Sequence, residues 1–160
     1  MDIVLNLVVT CATFLIMEIV SWTTHKYVMH GFLWNLHEDH HDHKHKHLLE
    51  KNDLFFVIFA TPSILLFYLG ATYPTLYHLL FIGLGIMIYG FAYFVVHDIV
   101  IHQRFKLFTR STFFYIVAIR KAHKIHHKNQ LKHDSQCFGM LFVPVIFFRD
   151  ALNTPKLKNK

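Results

Sequence analysis

The chain has 160 residues, the size of one domain, but 54% of them are hydrophobic and the mean hydropathy is +0.34. This composition excludes a typical small soluble domain, so we predict a membrane protein. The formal net charge of +6 does not indicate nucleic-acid binding, because none of the 16 Lys and Arg residues lies in 1–25 or 52–103. This asymmetry follows the positive-inside rule and predicts that both basic segments face the cytoplasm.

Three apolar runs of about 20 residues are each long enough to cross a bilayer as a helix. They cover residues 3–24, 54–73 and 76–96. The first run lacks the basic start of a cleavable signal peptide, so we expect it to remain as a span. Gly83, Gly85 and Gly90 lie in the third run, where we expect them to allow close helix packing.

Two later segments are apolar but too short to span. We predict one helix over about 112–127, entering from the interface, and a re-entrant or surface-lying segment over 137–148, which Pro144 interrupts. The basic end of the chain, 150–160, is expected to be loose. The predicted fold is therefore all-α and polytopic: a single domain over 1–160 with about three spanning helices and additional interfacial or re-entrant helices.

Ten of the 15 histidines form two copies of a paired motif, H-x4-H followed by H-x-x-H-H. The first copy contains His25, His30, His37, His40 and His41, and the second contains His97, His102, His123, His126 and His127. On an α-helix the three histidines of H-x-x-H-H fall within roughly 100° of arc, so all three can point at one atom. The two histidines of H-x4-H lie about 140° apart, so they share a metal only where a helix ends or bulges.

Neutral imidazole binds first-row transition metals, and two ions of roughly six-coordinate type need about ten to twelve donors. The ten motif histidines therefore predict a dinuclear metal site on the cytoplasmic side, where all four motifs leave the bilayer. His43, His45 and His47 alternate with lysine in a polar connector and receive no ligand role. His78 and His133 have no spaced partner and are also left out.

Two acidic residues are candidates to support these ligands. Glu18 lies inside the first span, two helical turns before His25 and on the same face, and an acid there is costly enough to suggest a function. The alternative is an acid neutralised by another helix. Asp98 precedes His102 by four residues and is expected to orient that imidazole through its other ring nitrogen. The alternative is a solvated acid at the interface.

The order of the four motifs resembles the membrane fatty acid hydroxylase superfamily, and longer strings are similar to its bacterial β-carotene 3-hydroxylases. These strings are His25-Lys-Tyr-Val-Met-His30-Gly31, Trp34-Asn-Leu-His37, Asn52-Asp53-Leu54, His97-Asp98 with His102-Gln103-Arg104, Ala122-His123-Lys-Ile-His126-His127 and Phe138-Gly139. The resemblance extends from about Glu18 to Pro144. One departure is Phe105-Lys106-Leu107, which stands where a Trp-Pro-Phe-like string is familiar and bears on substrate fit.

The resemblance implies a non-haem di-iron monooxygenase of the bacterial inner membrane. Such an enzyme uses O2 to hydroxylate C3 of the β-ionone rings, which converts β-carotene to β-cryptoxanthin and zeaxanthin. The ten motif histidines would be the ligands of two iron ions, and because zinc binds the same donors more tightly, purified protein can carry zinc instead. The substrate-binding residues and the oligomeric state are not predicted.

The same resemblance implies a separate electron donor, because no flavin or haem motif is visible. An acidic ferredoxin, supplied by its reductase, fits the basic surface that we expect near Arg104, Arg120, Lys121 and Lys124. The alternative is that these residues only fix the membrane topology.

Other functions are compatible with the histidine spacing. A related oxygenase acting on fatty acyl or sterol substrates, as a hydroxylase or a desaturase, or a carotenoid ketolase would use the same motifs. A membrane metal transporter or sensor is a more remote alternative, because transport sites usually lie near the middle of the bilayer and these histidines lie at the ends of spans.

Overall fold

The computed structural model describes residues 3–42, 49–128, 131–133 and 135–153, so His43, His45 and His47 lie outside the described residues. Within these ranges the chain is helical and contains no β-strand. The α-helices are α1 (Ile3–Thr24), α2 (Trp34–His41), α3 (Leu54–Thr72), α4 (Leu79–Phe94), α5 (Phe114–Lys128) and α6 (Val145–Asn153). Two π-helical segments, His25–Phe32 and Val95–Ile101, extend α1 and α4, and short 3-10 turns cover Lys51–Asp53 and Pro74–Leu76.

Three continuous helical stretches in the described ranges are long and apolar enough to cross a membrane. They are Ile3–Phe32, Lys51–Thr72 and Leu79–Ile101, which confirms the three predicted spans. Large apolar side chains cover their outer surfaces; Ile3, for example, is 69% exposed and Ile64 is 67% exposed. Such a surface suits lipid rather than water, so the protein is an integral membrane protein.

Glycines in α4 allow two neighbouring helices to approach closely. A Cβ atom at Gly85 would lie 2.6 Å from Cβ of Thr13 in α1, and one at Gly83 would lie 3.1 Å from the carbonyl oxygen of Ser63 in α3. The expected close packing is therefore confirmed at these two positions. It is wrong for Gly90, where an added Cβ would meet no atom within 4 Å, because this residue faces a cavity.

Both H-x4-H pairs lie where a helix widens. His25 and His30 belong to the first π-helical segment, and His102 directly follows the second, its backbone N–H donating to the carbonyl oxygen of His97 at 2.8 Å. In this i→i+5 arrangement residues five apart come one above the other, which an α-helix does not allow. The expectation that each pair needs a helix end or bulge is confirmed.

The C-terminal part of the chain packs on α5. Ala118, Ile119 and Ala122 of α5 are buried against Phe147 and Ala151 of α6. Residues 150–153 belong to α6, and the side chain of Ala151 is buried in this contact, so the prediction of a loose chain from residue 150 is wrong for them. The rest of that tail lies outside the described residues.

The predicted re-entrant segment has a different form. Residues 135–144, which we call the strap, have no regular secondary structure, and α6 begins only after Pro144. The strap lies against α5, where the hydroxyl of Tyr115 donates to the carbonyl oxygen of Leu141 at 2.8 Å. It also reaches the histidine motifs, as described below.

We predict that Gly85→Val lowers the free energy of unfolding by about 1–3 kcal/mol, because the added side chain overpacks the contact between α1 and α4. Gly90→Ala is the matched control, since its added methyl group meets open space. Thermal unfolding of the detergent-solubilised variants, followed by intrinsic tryptophan fluorescence, measures the difference. Equal unfolding temperatures for the two variants would contradict the packing described here.

Candidate metal centre

The motif histidines come together at one end of the helical bundle in two neighbouring groups. Within each group one ring nitrogen of every histidine lies within 4.8 Å of the others. The first group is His25, His30, His37, His41 and His126, and the second is His40, His97, His102 and His123. The first H-x4-H pair lies wholly in the first group, and the second pair lies wholly in the second group. By contrast, the histidines of each H-x-x-H-H triplet are not all in the same group.

This division corrects the expectation that each triplet points all three rings at one atom. In α2, His37 and His41 are separated by four residues and join the first group, while His40 joins the second. In α5, His126 joins the first group and His123 the second. Each of these helices lies between the two groups, so its histidines reach to both sides.

The Nε2 atoms converge inside each group. In the first group, Nε2 of His37 lies 3.2 Å from Nε2 of His25 and 3.2 Å from Nε2 of His41. In the second, the Nε2 atoms of His102 and His123 are 2.8 Å apart. Two lone pairs at this separation repel each other unless a proton or a cation lies between them. The arrangement therefore suits a shared cation.

Among the contacts of the described residues, the opposite ring nitrogen, Nδ1, donates to an oxygen atom in six of these histidines. Three acceptors are backbone carbonyls, at 3.1 Å for His25 to Phe138, 3.1 Å for His30 to Lys132 and 2.9 Å for His126 to Gln136. Three are side chains, at 2.7 Å for His37 to Asn52, 2.7 Å for His40 to Glu50 and 3.3 Å for His97 to Asp98. An acceptor on Nδ1 holds the proton there and leaves the Nε2 lone pair for a metal, which is the usual arrangement of metal-binding imidazoles.

His127 belongs to neither group but lies between them. Its ring centroid is 4.4 Å from that of His41 and 4.5 Å from that of His123. The side chain is buried, and its Nε2 atom has no hydrogen-bond partner among the described residues. An unpaired buried nitrogen is costly unless another group binds it, so this position also fits a metal donor.

Burial and the neighbouring rings keep the imidazoles neutral. Loss of solvation, reinforced by nearby histidines, lowers the pKa of His126 to about 3 and lowers that of His127 still further. The pKa values of His40, His102 and His123 are also well below the ordinary value for the same reasons. These side chains therefore carry free lone pairs at neutral pH, as metal ligands must.

Asp98 contacts a different histidine from the one expected. Its Oδ2 atom lies 3.3 Å from Nδ1 of His97 and not beside His102. Residues four apart share a face of an α-helix, but Asp98 lies in a π-helical segment, where that spacing no longer applies. The role of orienting a histidine remains for Asp98, with His97 as the partner.

Arg104 connects the carboxylates that hold two of the histidines. Its Nε lies 3.0 Å from Asp98, its Nη1 2.9 Å from Asp53 and its Nη2 2.9 Å from Glu50. Glu50 and Asp98 are also the acceptors for His40 and His97, so one guanidinium group fixes the two carboxylates behind the second group. Gln103, directly before Arg104, has a positive φ of 54°. This φ turns the backbone so that the Arg104 side chain points back to the bundle.

These contacts change the expected docking surface. Arg104 is engaged in ion pairs, and Arg120 donates to the carbonyl oxygens of Val100 at 2.7 Å and Phe108 at 3.0 Å. Neither guanidinium is therefore free for a partner protein in the way we expected. Lys121 is half-buried and Lys124 is exposed on α5.

Glu18 also has a role different from the one expected, because it makes no described hydrogen bond to a histidine. Its Oε1 atom accepts from the three consecutive backbone N–H groups of 140–142 in the strap, at 2.9–3.1 Å. Its Oε2 atom accepts from the hydroxyl of Tyr89 in α4 at 2.8 Å. The strap carries the carbonyl groups of Gln136 and Phe138, which bind His126 and His25, so Glu18 supports the centre indirectly.

Asn52, Glu50 and the strap carbonyls are partners of the histidines that the motif spacing does not predict. The sequence signal for the first two is the polar stretch directly before the second span, which contains both residues. Backbone carbonyls leave no signal in a sequence, since every residue has one.

A cavity of about 490 Å³ lies between α3 and α4 and ends at His97 and Asp98. Its walls are mainly apolar, with Phe55, Phe59 and Phe94 among the lining residues. The ring of Tyr93, which also lines the cavity, stacks on His97 with 5.0 Å between the centroids. The second histidine group is therefore accessible from the membrane-spanning part of the bundle.

We predict that Arg104→Lys removes about one metal ion per chain and lowers metal affinity by about 10–100-fold at the second group. Lysine keeps the charge but cannot hold several carboxylates with one planar group, so Glu50 and Asp98 lose their fixed positions. Elemental analysis of protein purified in iron-supplemented medium measures this loss. Arg149→Lys, at an exposed position of α6, is the control. An unchanged metal content in Arg104→Lys would show that the carboxylates are held without it.

We predict that Glu18→Ala frees the strap, while Glu18→Gln keeps a carbonyl acceptor and loses less stability. Each buried N–H group left without a partner costs about 1–3 kcal/mol. Limited proteolysis within 135–144 and the unfolding temperature in detergent measure the difference. Equal protease sensitivity of wild type and Glu18→Ala would contradict a supporting role for this carboxylate.

Comparison with known proteins agrees with this geometry. The family described as Fatty acid hydroxylase matches residues 10–150. A Beta-carotene hydroxylase of Pantoea ananas is 40% identical over 141 residues, covering 87% of this chain and 78% of the relative, and one of Paracoccus sp. (strain PC1) is 37% identical over 142 residues, covering 86% and 84%. A chloroplastic Beta-carotene 3-hydroxylase 2 of Arabidopsis thaliana is 36% identical over 118 residues, covering 72% and 39%. No solved structure gives a significant match. The resemblance found in the histidine motifs is confirmed, and the chain belongs to the fatty acid hydroxylase family.

Proposed function

We propose that the protein is an O2-dependent di-iron monooxygenase that hydroxylates C3 of the β-ionone rings of β-carotene, giving β-cryptoxanthin and then zeaxanthin. The observation that supports this most directly is the pair of buried histidine groups at the end of an apolar cavity, in a chain that aligns with bacterial β-carotene hydroxylases over most of its length. Carotenoid hydroxylation by a membrane enzyme follows from this relationship. The choice of C3, iron and O2 is our proposal.

The donor set fits two metal ions. Every histidine in the two groups presents a ring nitrogen inward, and His127 adds an unpaired nitrogen between them. We assign one iron to the group containing His25 and one to the group containing His97, and His127 to the space between them. Bound iron supplies the capacity to activate O2 for attack on an unactivated C–H bond. Because the same imidazoles bind zinc, protein purified without added iron can carry the wrong metal.

The protein residues supply orientation and exclusion of water. The carboxylates of Asp98 and Glu50 keep the Nδ1 protons of His97 and His40 in place, and Arg104 fixes both carboxylates. A ring C–H of β-carotene has no acidic proton and no carbonyl group, so side chains acting as acids, bases or nucleophiles have nothing to act on. This is consistent with a site built almost wholly from ligands and their supports.

Two electrons per turnover must come from another protein, which we propose is a ferredoxin reduced by its own reductase. Lys124 is exposed on α5 between His123 and His126, so an acidic donor that binds there would lie close to the ligands. The Lys and Arg distribution supports a site on the cytoplasmic face of the bacterial inner membrane.

The function is tested by pigment chromatography of β-carotene-accumulating bacteria that express the wild type, His126→Ala or His78→Ala together with a competent electron donor. We expect zeaxanthin and β-cryptoxanthin with the wild type and a loss of at least about 100-fold with His126→Ala, because the ring belongs to the first ligand group. His78→Ala, an exposed position at the opposite end of the bundle, should keep wild-type activity.

The outcome also separates the alternatives. If metal-loaded wild type leaves β-carotene unchanged but modifies acyl lipids or sterols, the enzyme acts on another lipid. A keto group in place of a hydroxyl group would identify a ketolase, and metal uptake by vesicles without any oxidation product would identify a transporter.

A further inference from the structure

The cavity between α3 and α4 connects the lipid-facing surface with the histidines. Some of its lining side chains are exposed on the outer surface of the spanning helices, with Ile64 67% and Phe91 69% accessible. Other lining residues, His97 and Asp98, are buried, with 2% and 8% accessible. A molecule dissolved in the bilayer can therefore enter between two spanning helices and reach the His97 side chain without passing through water.

Three of the polar side chains that line this cavity, Ser63, Tyr89 and Asp98, already have partners. The hydroxyl of Ser63 donates to the carbonyl oxygen of Gly83 at 2.8 Å, and that of Tyr89 donates to Glu18 at 2.8 Å. Asp98 pairs with Arg104. The cavity thus offers an occupant mainly apolar surface, which fits a hydrocarbon and not a carboxylate or phosphate head group.

The size of the cavity limits how much of a substrate it can hold. A cavity of ~150 Å³ binds one benzene molecule, which corresponds to roughly 25 Å³ per carbon atom. The cavity of about 490 Å³ therefore holds roughly 20 carbon atoms, about half of a carotene. That is enough for one terminal ring and the first part of the polyene, while the remainder stays in the bilayer.

Gly90 leaves part of this cavity unfilled on the α4 side. It is one of the lining residues, and a Cβ atom there would meet nothing within 4 Å, in contrast to the closely packed Gly83 and Gly85. A glycine that is not needed for helix packing leaves volume free. Ala60 is a small lining residue on the opposite wall, in α3.

We propose that this cavity is the binding site for one terminal ring of the carotenoid, entering from the bilayer with the ring towards His97, and that Gly90 determines its specificity by leaving room for the ring. The proposal rests on the proposed function, because it names the place where that substrate binds. It identifies the residues of the substrate site that the sequence left unassigned.

Gly90→Leu and Ala60→Leu test the proposal from the two walls. We expect each variant to fold, to retain its metal, and to lose at least about tenfold in both hydroxylated pigment and β-carotene that co-purifies with the detergent-solubilised protein. Ile88→Phe adds volume at an exposed position of α4 that does not line the cavity, and it should behave as the wild type. Unfolding temperature and metal content are measured for all variants.

Wild-type pigment production and co-purification in a folded Gly90→Leu or Ala60→Leu variant would overturn the proposal. If Gly90→Leu does not fold, Ala60→Leu decides. Failure of the proposed function is distinguishable, because the wild type itself would then form no hydroxylated carotenoid. In that case a wild-type level of β-carotene co-purification that both leucine variants retain would overturn the cavity assignment as well.

Discussion

The metal centre depends on one arrangement: in the described contacts, an oxygen acceptor lies behind six of the buried imidazoles, so that the other nitrogen of each of these rings can face inward. Burial removes water from these rings, and an unpaired N–H group there would be costly. The acceptors come from separate parts of the chain: the polar stretch before α3, the π-helical segment after α4 and the strap. The fold can therefore be understood as a means of bringing these acceptors around two sets of rings.

Two charged residues extend this requirement outward. Arg104 fixes the carboxylates behind the second histidine group, and Glu18 collects three backbone N–H groups so that the strap can present its carbonyls to the first group. Gly139 is part of the same device, since a Cβ atom there would collide with the carbonyl oxygen of Phe142. Neither Glu18 nor Arg104 is in a described contact with a motif histidine, yet both determine where the rings lie.

Much of this architecture was predictable from the sequence. The spans follow from the length of the apolar runs, and the site follows from the repeated histidine spacing. The partners of Asp98 and Glu18 were not predictable, for two physical reasons. Asp98 lies in a π-helical segment, where α-helical periodicity gives the wrong neighbour, and Glu18 binds amides more than 120 residues away, which local spacing does not reveal. The empty space beside Gly90 was also not predictable, because the sequence does not distinguish a glycine that packs tightly from one that lines a cavity.

The size of the cavity also bears on how the two ends of a symmetric substrate are treated. If the site accommodates one half of the molecule, the second ring is exposed to lipid during the first reaction and has to enter in a new binding event. The singly hydroxylated product then mixes with fresh β-carotene in the bilayer and competes with it for the same entrance. The proportion of the two products would consequently be set by the pigment composition of the membrane and not by the enzyme alone.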